Sequence, residues 1–345
     1  MVNLFYTADR AGHFLLKLPI MNTKLRLFSA SLLLSLCCAS AASAQDFYML
    51  VGKDNDTQAH SSYAWQLSYQ QKLIPYIDWS FSWINEGHYP TSHRDGPALQ
   101  LLAHTELLDK HLSLYAGYGA YRYFDTETSK HSTSFKDAHG WGGVGTLAAT
   151  WRFNSGFLLQ ARLNHIMTDK KLETTSLQMG LGYQLDKGGR AAKPLSGPDY
   201  DELKNEITAY VGKTIVNSAT SQSAHSMGLE YRRELCKYLD GTAGYLYEGN
   251  PDIVRRGGLT AQIWPKQEFF GGRLSLGVGF GAYAAVDNRR KDKDAGGNMF
   301  LSGLLTMGVS YRITPHVALR ANWNRTITNY NRDTDVMVGG VGYRF

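Results

Sequence analysis

The residues with the most chemistry in them lie close together: Glu86, His88, His93 and Asp95, with Arg94 among them. Imidazoles and carboxylates on one connection are donor types that a divalent transition metal accepts. An arginine beside a glutamate either pairs with it or offers its guanidinium to a phosphate. A second group, Ser134, His139, His165 and Thr168, would serve acyl transfer if one hydroxyl met one histidine with a carboxylate behind it. A third is the charged run Arg289-Arg290-Lys291-Asp292-Lys293-Asp294, which suits a solvated loop or an anionic polymer. No P-loop, dinucleotide fingerprint or zinc spacing occurs in the chain.

The elements that must position these residues are strands. Ile77, Trp79, Phe81 and Trp83 alternate with Asp78, Ser80 and Ser82, and Glu86 continues the polar set. Leu159, Ala161 and Leu163 alternate with Gln160, Arg162 and Asn164, and Val317, Leu319, Ala321 and Trp323 with Arg320, Asn322 and Asn324. Period two is the strand period. The same reading puts Gln100, Glu230, Arg232, Asp240, Glu248 and Gln262 on the polar face. Mean hydropathy is −0.31, and beyond the leader no run of about 18 apolar residues occurs, so a helical membrane protein is excluded. With 35 Gly and 21 Tyr among short alternating segments, the pattern favours a membrane β-barrel with a polar lumen. A soluble periplasmic β-protein is the alternative.

The leader reads as a secretory signal. Residues 21–26 supply the positive region, residues 27–38 the apolar one, and Ala42-Ser43-Ala44 the cleavage site, with translation starting at Met1 or Met21. Removing residues 1–44 takes away Arg10, Lys17, Lys24, Arg26 and Asp9, and the formal charge falls from +6 to +3. That excess is no nucleic-acid footprint. Cys236 alone survives processing, so no intramolecular disulfide is expected.

The mature sequence repeats itself. Val51-Gly52-Lys53 returns as Val211-Gly212-Lys213, Asp78 as Asp240, Glu86-Gly87 as Glu248-Gly249, Arg94 as Arg256, and Gly182-Tyr183 as Gly342-Tyr343. Each half, 45–185 and 205–345, reads as eight strands. In the first half they begin near Asp46, Ser61, Tyr76, Gly96, Leu112, Gly140, Phe157 and Thr175. Short turns alternate with longer connections at 53–59, 87–95, 125–138 and 168–173, and the longest in the second half is 287–298. The stretch 186–204 is rich in Gly, Pro and charge, as a periplasmic linker between two closed barrels would be. The expectation is therefore two tandem eight-stranded barrels, with one sixteen-stranded barrel as the alternative.

The final strand, from Val336 to the aromatic Phe345, resembles the closing strand of bacterial outer-membrane barrels. With the signal sequence, the strand and loop alternation and the Gly-Tyr-Arg-Phe ending, each half resembles the eight-stranded barrels of the OmpA transmembrane type. That resemblance implies integral residence in the bacterial outer membrane after cleavage near Ala44, contact with lipid and lipopolysaccharide, and assembly through the strand ending in Phe345. It implies no activity, since this fold serves many roles. Lipid A deacylase and palmitoyl transferase barrels are similar in size to one half, but the His-x-Ser-Asn pattern of the deacylases is absent: Ile166-Met167 follows His165.

The expected lumen network is Asp78, Glu86, Gln100, Arg162, Asn164, Asp240, Glu248, Gln262, Arg320 and Asn324, an ion-paired plug or a ligand-binding lumen. Expected surface contacts with a polyanion are Arg94, Arg256, Arg289, Arg290 and Lys291, where Arg94 and Arg256 are alternatively structural pairs with Glu86 and Glu248. No catalytic residue, metal or cofactor is assigned. The expected role is a non-enzymatic envelope component that contacts lipopolysaccharide, polysaccharide or a protein. The alternatives are a pore for a solute or glycan, and a lipid A-modifying enzyme.

Overall fold

A computed structural model of the chain describes residues 45–129, 134–168, 172–185, 203–289 and 299–345. The signal segment, most of the 186–204 linker, and Arg290 and Lys291 lie outside the described residues.

The strands are β1 (Gln45–Asp56), β2 (Ser61–Ile74), β3 (Ile77–Tyr89), β4 (Ser92–Leu107), β5 (Leu112–Thr128), β6 (Phe135–Arg152), β7 (Phe157–Thr168) and β8 (Thr174–Gln184). The second set is β9 (Asn205–Val216), β10 (Ser223–Cys236), β11 (Leu239–Tyr247), β12 (Arg256–Phe269), β13 (Leu274–Asp287), β14 (Met299–Arg312), β15 (Val317–Ile327) and β16 (Thr334–Arg344). Within each set every strand pairs antiparallel with its sequence neighbours. The first set closes through β1 and β8, from Asp46 opposite Gln184 to Asp56 opposite Thr174. The second closes through β9 and β16. Two closed eight-stranded barrels result, and because β8 pairs with β1 and not with β9, one sixteen-stranded barrel is ruled out.

The walls are inside out compared with a soluble protein. Inward positions such as Gln160, Arg162 and Asn164 on β7 are buried, whereas Leu159 and Leu163 between them are exposed. Val211 is 72% and Leu301 75% exposed. An apolar band of this kind is stable only against lipid or another apolar wall.

Connections on one side are short: residues 75–76, 108–111, 153–156, 237–238, 270–273 and 313–316. Tyr76, Leu108, Asp109, Lys110 and Phe270 take positive φ there, the left-handed geometry of tight hairpin turns. On the other side the expected loops 87–95 and 125–138 turn out to be largely strand. β3 runs to Tyr89 and β4 starts at Ser92, while Glu127 pairs with Lys136 between β5 and β6. A transmembrane strand needs about 9–11 residues, and β5 and β6 have 17 and 18. The ladder therefore continues past the apolar band, where both faces meet water and the alternation that marks a strand in the sequence fades.

Both barrels belong to one compact unit. Their outer walls meet through Trp83, Phe124 and Leu305, with Trp65, Val278, Met307, Trp323 and Ile327 packed around them. The Trp83 and Trp323 rings are 4.7 Å apart.

Candidate functional site: two polar lumens and a clasp

Near the outer rim each lumen holds one buried ion pair. In the first barrel Glu86 on β3 accepts from Arg94 on β4, with Arg94 Nε 2.7 Å from Glu86 Oε1 and Nη2 bonded to Oε2. The Tyr121 hydroxyl on β5 donates to Glu86 Oε1 at 2.7 Å, and Thr174 on β8 donates to Oε2. Arg94 Nη1 reaches the Leu172 carbonyl at 3.0 Å. One fork thus ties four strands and the β7–β8 connection.

The second barrel repeats this. Arg256 Nε and Nη2 lie 2.8 and 2.6 Å from the two oxygens of Glu248, Thr334 donates to Glu248 at 2.8 Å, and Arg256 Nη1 reaches the Arg332 carbonyl at 3.0 Å. Tyr330, on the β15–β16 connection, accepts from Arg256 and donates to Asp287 at 3.2 Å. Burial raises its hydroxyl above the ordinary tyrosine range. Gly87 and Gly249 follow the two glutamates at φ 75° and 81°. A Cβ at these positions would stand 2.1 Å from the Tyr63 carbonyl oxygen and 2.3 Å from that of His225, so both the φ and the space require glycine.

The middle of each lumen is an amide network. In the first barrel Arg162 donates to Gln100 at 2.6 Å and to Asn164 at 3.0 Å, Gln100 donates to Thr146, and Thr146 to Asn164 at 2.7 Å. In the second, Gln262 donates to Thr306 at 3.0 Å and Thr306 to Asn324 at 2.8 Å. Asn322 stands where the first barrel has Arg162, which has no carboxylate against it among the described residues. A space of about 30 Å³ between Tyr210, Glu230, Gln262 and Asn322 is room for water and not for a solute.

At the short-turn end the lumens are filled by ions. Arg152 meets Asp46 at 2.9 Å, and Asp78 accepts from Gln70 at 2.7 Å and lies 3.1 Å from His104. The second barrel is denser. Lys266 lies 2.7, 2.9 and 3.3 Å from Glu234, Asp240 and Glu268. Arg232 pairs with Glu230 and Asp240, Arg312 with Glu268, and Arg320 with Glu206. An eight-stranded barrel has just the width that side chains fill, and paired ions with hydrogen-bonded amides are what burial there requires.

Between the barrels lies a third cluster, of charged residues on the outward parity. Arg325 on β15 donates to Asp335 on β16 and to Asp95 on β4 of the other barrel, both at 2.7 Å. Trp323 donates to Asp335 at 2.8 Å and Trp83 to Asp95 at 3.2 Å. The guanidinium sits 5.6 and 5.3 Å from the Trp83 and Phe124 ring centres. Towards the outer end His139 meets Asp333 at 2.6 Å, and the Asp333 amide donates to Asp137 at 3.1 Å.

Of the ten residues assigned to the lumen from sequence, nine are buried inside the barrels, and Arg320 points inward but is only partly buried. Alternation also places Glu206, Lys266, Glu268 and Arg312 there, though they are not among the ten. Arg94 and Arg256 are 1% and 0% exposed, so neither guanidinium faces a surface ligand; the structural pairing holds them. Arg289 is exposed, and among the described residues its guanidinium reaches Asn250, at 3.5 Å.

The metal-type group does not converge. Glu86 turns inward, Asp95 turns to the clasp, and the His88 and His93 rings lie 4.0 Å apart, tilted by 48°. The acyl-transfer group is scattered as well: His165 is 2.9 Å from Thr175, and His139 belongs to the clasp.

No protein-family model matches the chain, and no curated protein matches it. Among solved structures it is similar to the N-terminal β-barrel domain of Pseudomonas aeruginosa OprF, with 15% identity over 41% of this chain and 96% of that one, TM-score 0.34. It is also similar to Neisserial surface protein A, with 10% identity over 42% and 97%, TM-score 0.35. The attachment invasion locus protein Ail of Yersinia pestis gives 13% identity over 41% and 96%, TM-score 0.31.

Proposed function

We propose that this chain is an integral outer-membrane protein in which two plugged barrels stand together as a non-enzymatic component of the cell envelope. Its outer hairpins offer a surface to lipopolysaccharide, polysaccharide or a protein partner, and the assembly machinery reads the last strand through Phe345. The observation that carries the reading is the pair of rim forks, Glu86 with Arg94 and Glu248 with Arg256. Each spends the best ligand-binding guanidinium of its lumen on an internal carboxylate. The apolar outer walls support membrane residence. Exposed Arg255 and Arg289, next to the basic run at 289–293, favour an anionic polymer as the surface partner.

The test is single-channel recording of the mature protein in a planar bilayer, with insertion checked by heat-modifiable gel mobility. Inserted protein is expected to be silent or to open rarely and slightly. Steady porin-sized steps would overturn the plugged reading and make the charged interior a selectivity filter. The surface reading predicts that Arg255→Glu with Arg289→Glu weakens retention on immobilised lipopolysaccharide without changing gel mobility.

A further inference from the structure

The outward wall of the second barrel carries an open groove of about 590 Å³ across β10–β13. Its floor is a row of small residues opposite one another in the ladders, Ala243, Ala261 and Ala282, with Tyr231 at the β10 end. The neighbouring row is Arg233, Gly241, Ile263 and Phe280. Three strand spacings of about 4.8 Å make it roughly 14 Å long across the strands, and with strands tilted about 45° it climbs about 10 Å of the ~30 Å hydrocarbon core. At the matching positions of β3 the first barrel carries Trp79 and Phe81 where β11 has Gly241 and Ala243. The groove exists because two rings of one repeat are absent from the other.

The groove also has a direction. Arg233 and Gly241 stand beside the short-turn ends of β10 and β11, at Cys236 and Leu239. Ile263 and Phe280 stand further up β12 and β13, away from Phe269 and Leu274. The groove therefore opens at the periplasmic rim and climbs into the hydrocarbon. At its mouth Arg233 is exposed, points outward, and has no partner among the described residues. A free guanidinium beside the short-turn rim, at the foot of an apolar channel that climbs into the hydrocarbon, is complementary to a phosphate joined to an acyl chain.

We infer that this groove holds one glycerophospholipid of the inner leaflet, with its phosphate on Arg233 and one acyl chain along Ala243, Ala261 and Ala282 as far as Phe280. The inference rests on the outer-membrane reading above.

The test is native mass spectrometry of the mature chain after detergent exchange and addition of phosphatidylglycerol, beside heat-modifiable gel mobility. Wild-type protein is expected to keep one phospholipid per chain. Arg233→Ala, a rim change that leaves the fold alone, should weaken retention about tenfold or more, as for one lost charge-assisted hydrogen bond. Ala243→Phe, which restores the ring of the first barrel, should abolish it. Folded wild-type protein without bound phospholipid, or equal retention in all three proteins, overturns the inference. A dimer broken by Ala243→Phe would give the groove to a second copy and overturn it too. Loss of heat-modifiable mobility in wild-type protein would instead strike at the barrel reading itself.

Discussion

Arg325 donates to Asp95 at 2.7 Å, bridging two side chains 230 residues apart that stand on the outer walls of different barrels. In lipid, apolar walls gain little by leaving lipid for one another, so packing and interhelical-type polar contacts must supply the preference. Here the walls supply both: a tryptophan cluster, and an arginine between two aspartates, each of which accepts an indole N–H on the same oxygen that takes the guanidinium.

Breaking that contact should separate the barrels. Arg325→Ala leaves Asp95 and Asp335 buried without a countercharge, a loss of about 3–5 kcal/mol. With a protease site inserted between residues 185 and 205, the cleaved wild-type halves should stay together through gel filtration in mild detergent, and the cleaved variant halves should part. Wild-type halves that part on cleavage would show that the linker alone joins them.

The rim forks should behave as units. Arg256→Met strands Glu248 and should lower unfolding stability by about 3–5 kcal/mol. Adding Glu248→Met removes the stranded charge, so the double variant should recover part of the loss. Urea titration followed by gel mobility reads both, and simple additivity would argue that the pair is not coupled.

Two buried arginines should differ. Arg320→Met strands Glu206 and should cost about 3–5 kcal/mol. Arg162→Met removes a charge that faces neutral amides and the Thr146 hydroxyl, and leaves Gln100 Oε1 short of one donor, so its cost should stay under about 2 kcal/mol. The order of the two urea midpoints is the readout.

Gly249→Ala forces a Cβ onto a left-handed residue against the His225 carbonyl. A loss of about 1–3 kcal/mol or more is expected, with slower refolding of the second barrel followed by gel mobility. A neutral result would mean that the Glu248 turn can relax.

The fold was legible where one face meets lipid. There hydropathy alternates with the pleat, and the starts of β2, β5 and β7 fall at Ser61, Leu112 and Phe157 as the alternation indicates. It was illegible at 87–95 and 125–138, because strand ends with water on both faces keep their hydrogen bonds but lose their pattern. The lumen residues follow from parity alone. The clasp does not, although a signal was present: the alternation that puts His165 on the outer wall puts its repeat counterpart Arg325 there too. A charge at mid-bilayer on such a wall costs about 2–4 kcal/mol, so it signals a partner. Nothing local to Arg325 points to Asp95, because the pairing is between barrels and has no sequence period.

The two halves meet by different faces, β2–β6 of one against β13–β16 of the other, although their sequences match at many positions. A head-to-tail contact propagates without end when every unit carries both faces. Here each unit has kept only one. The positions matching Arg325 and Asp335 in the first half are His165 and Thr175, and those matching Trp83 and Asp95 in the second are Tyr245 and Gly257. The molecule is thus capped at both ends: a geometry that in an undiverged repeat would seed an open row of barrels across the membrane plane stops at two.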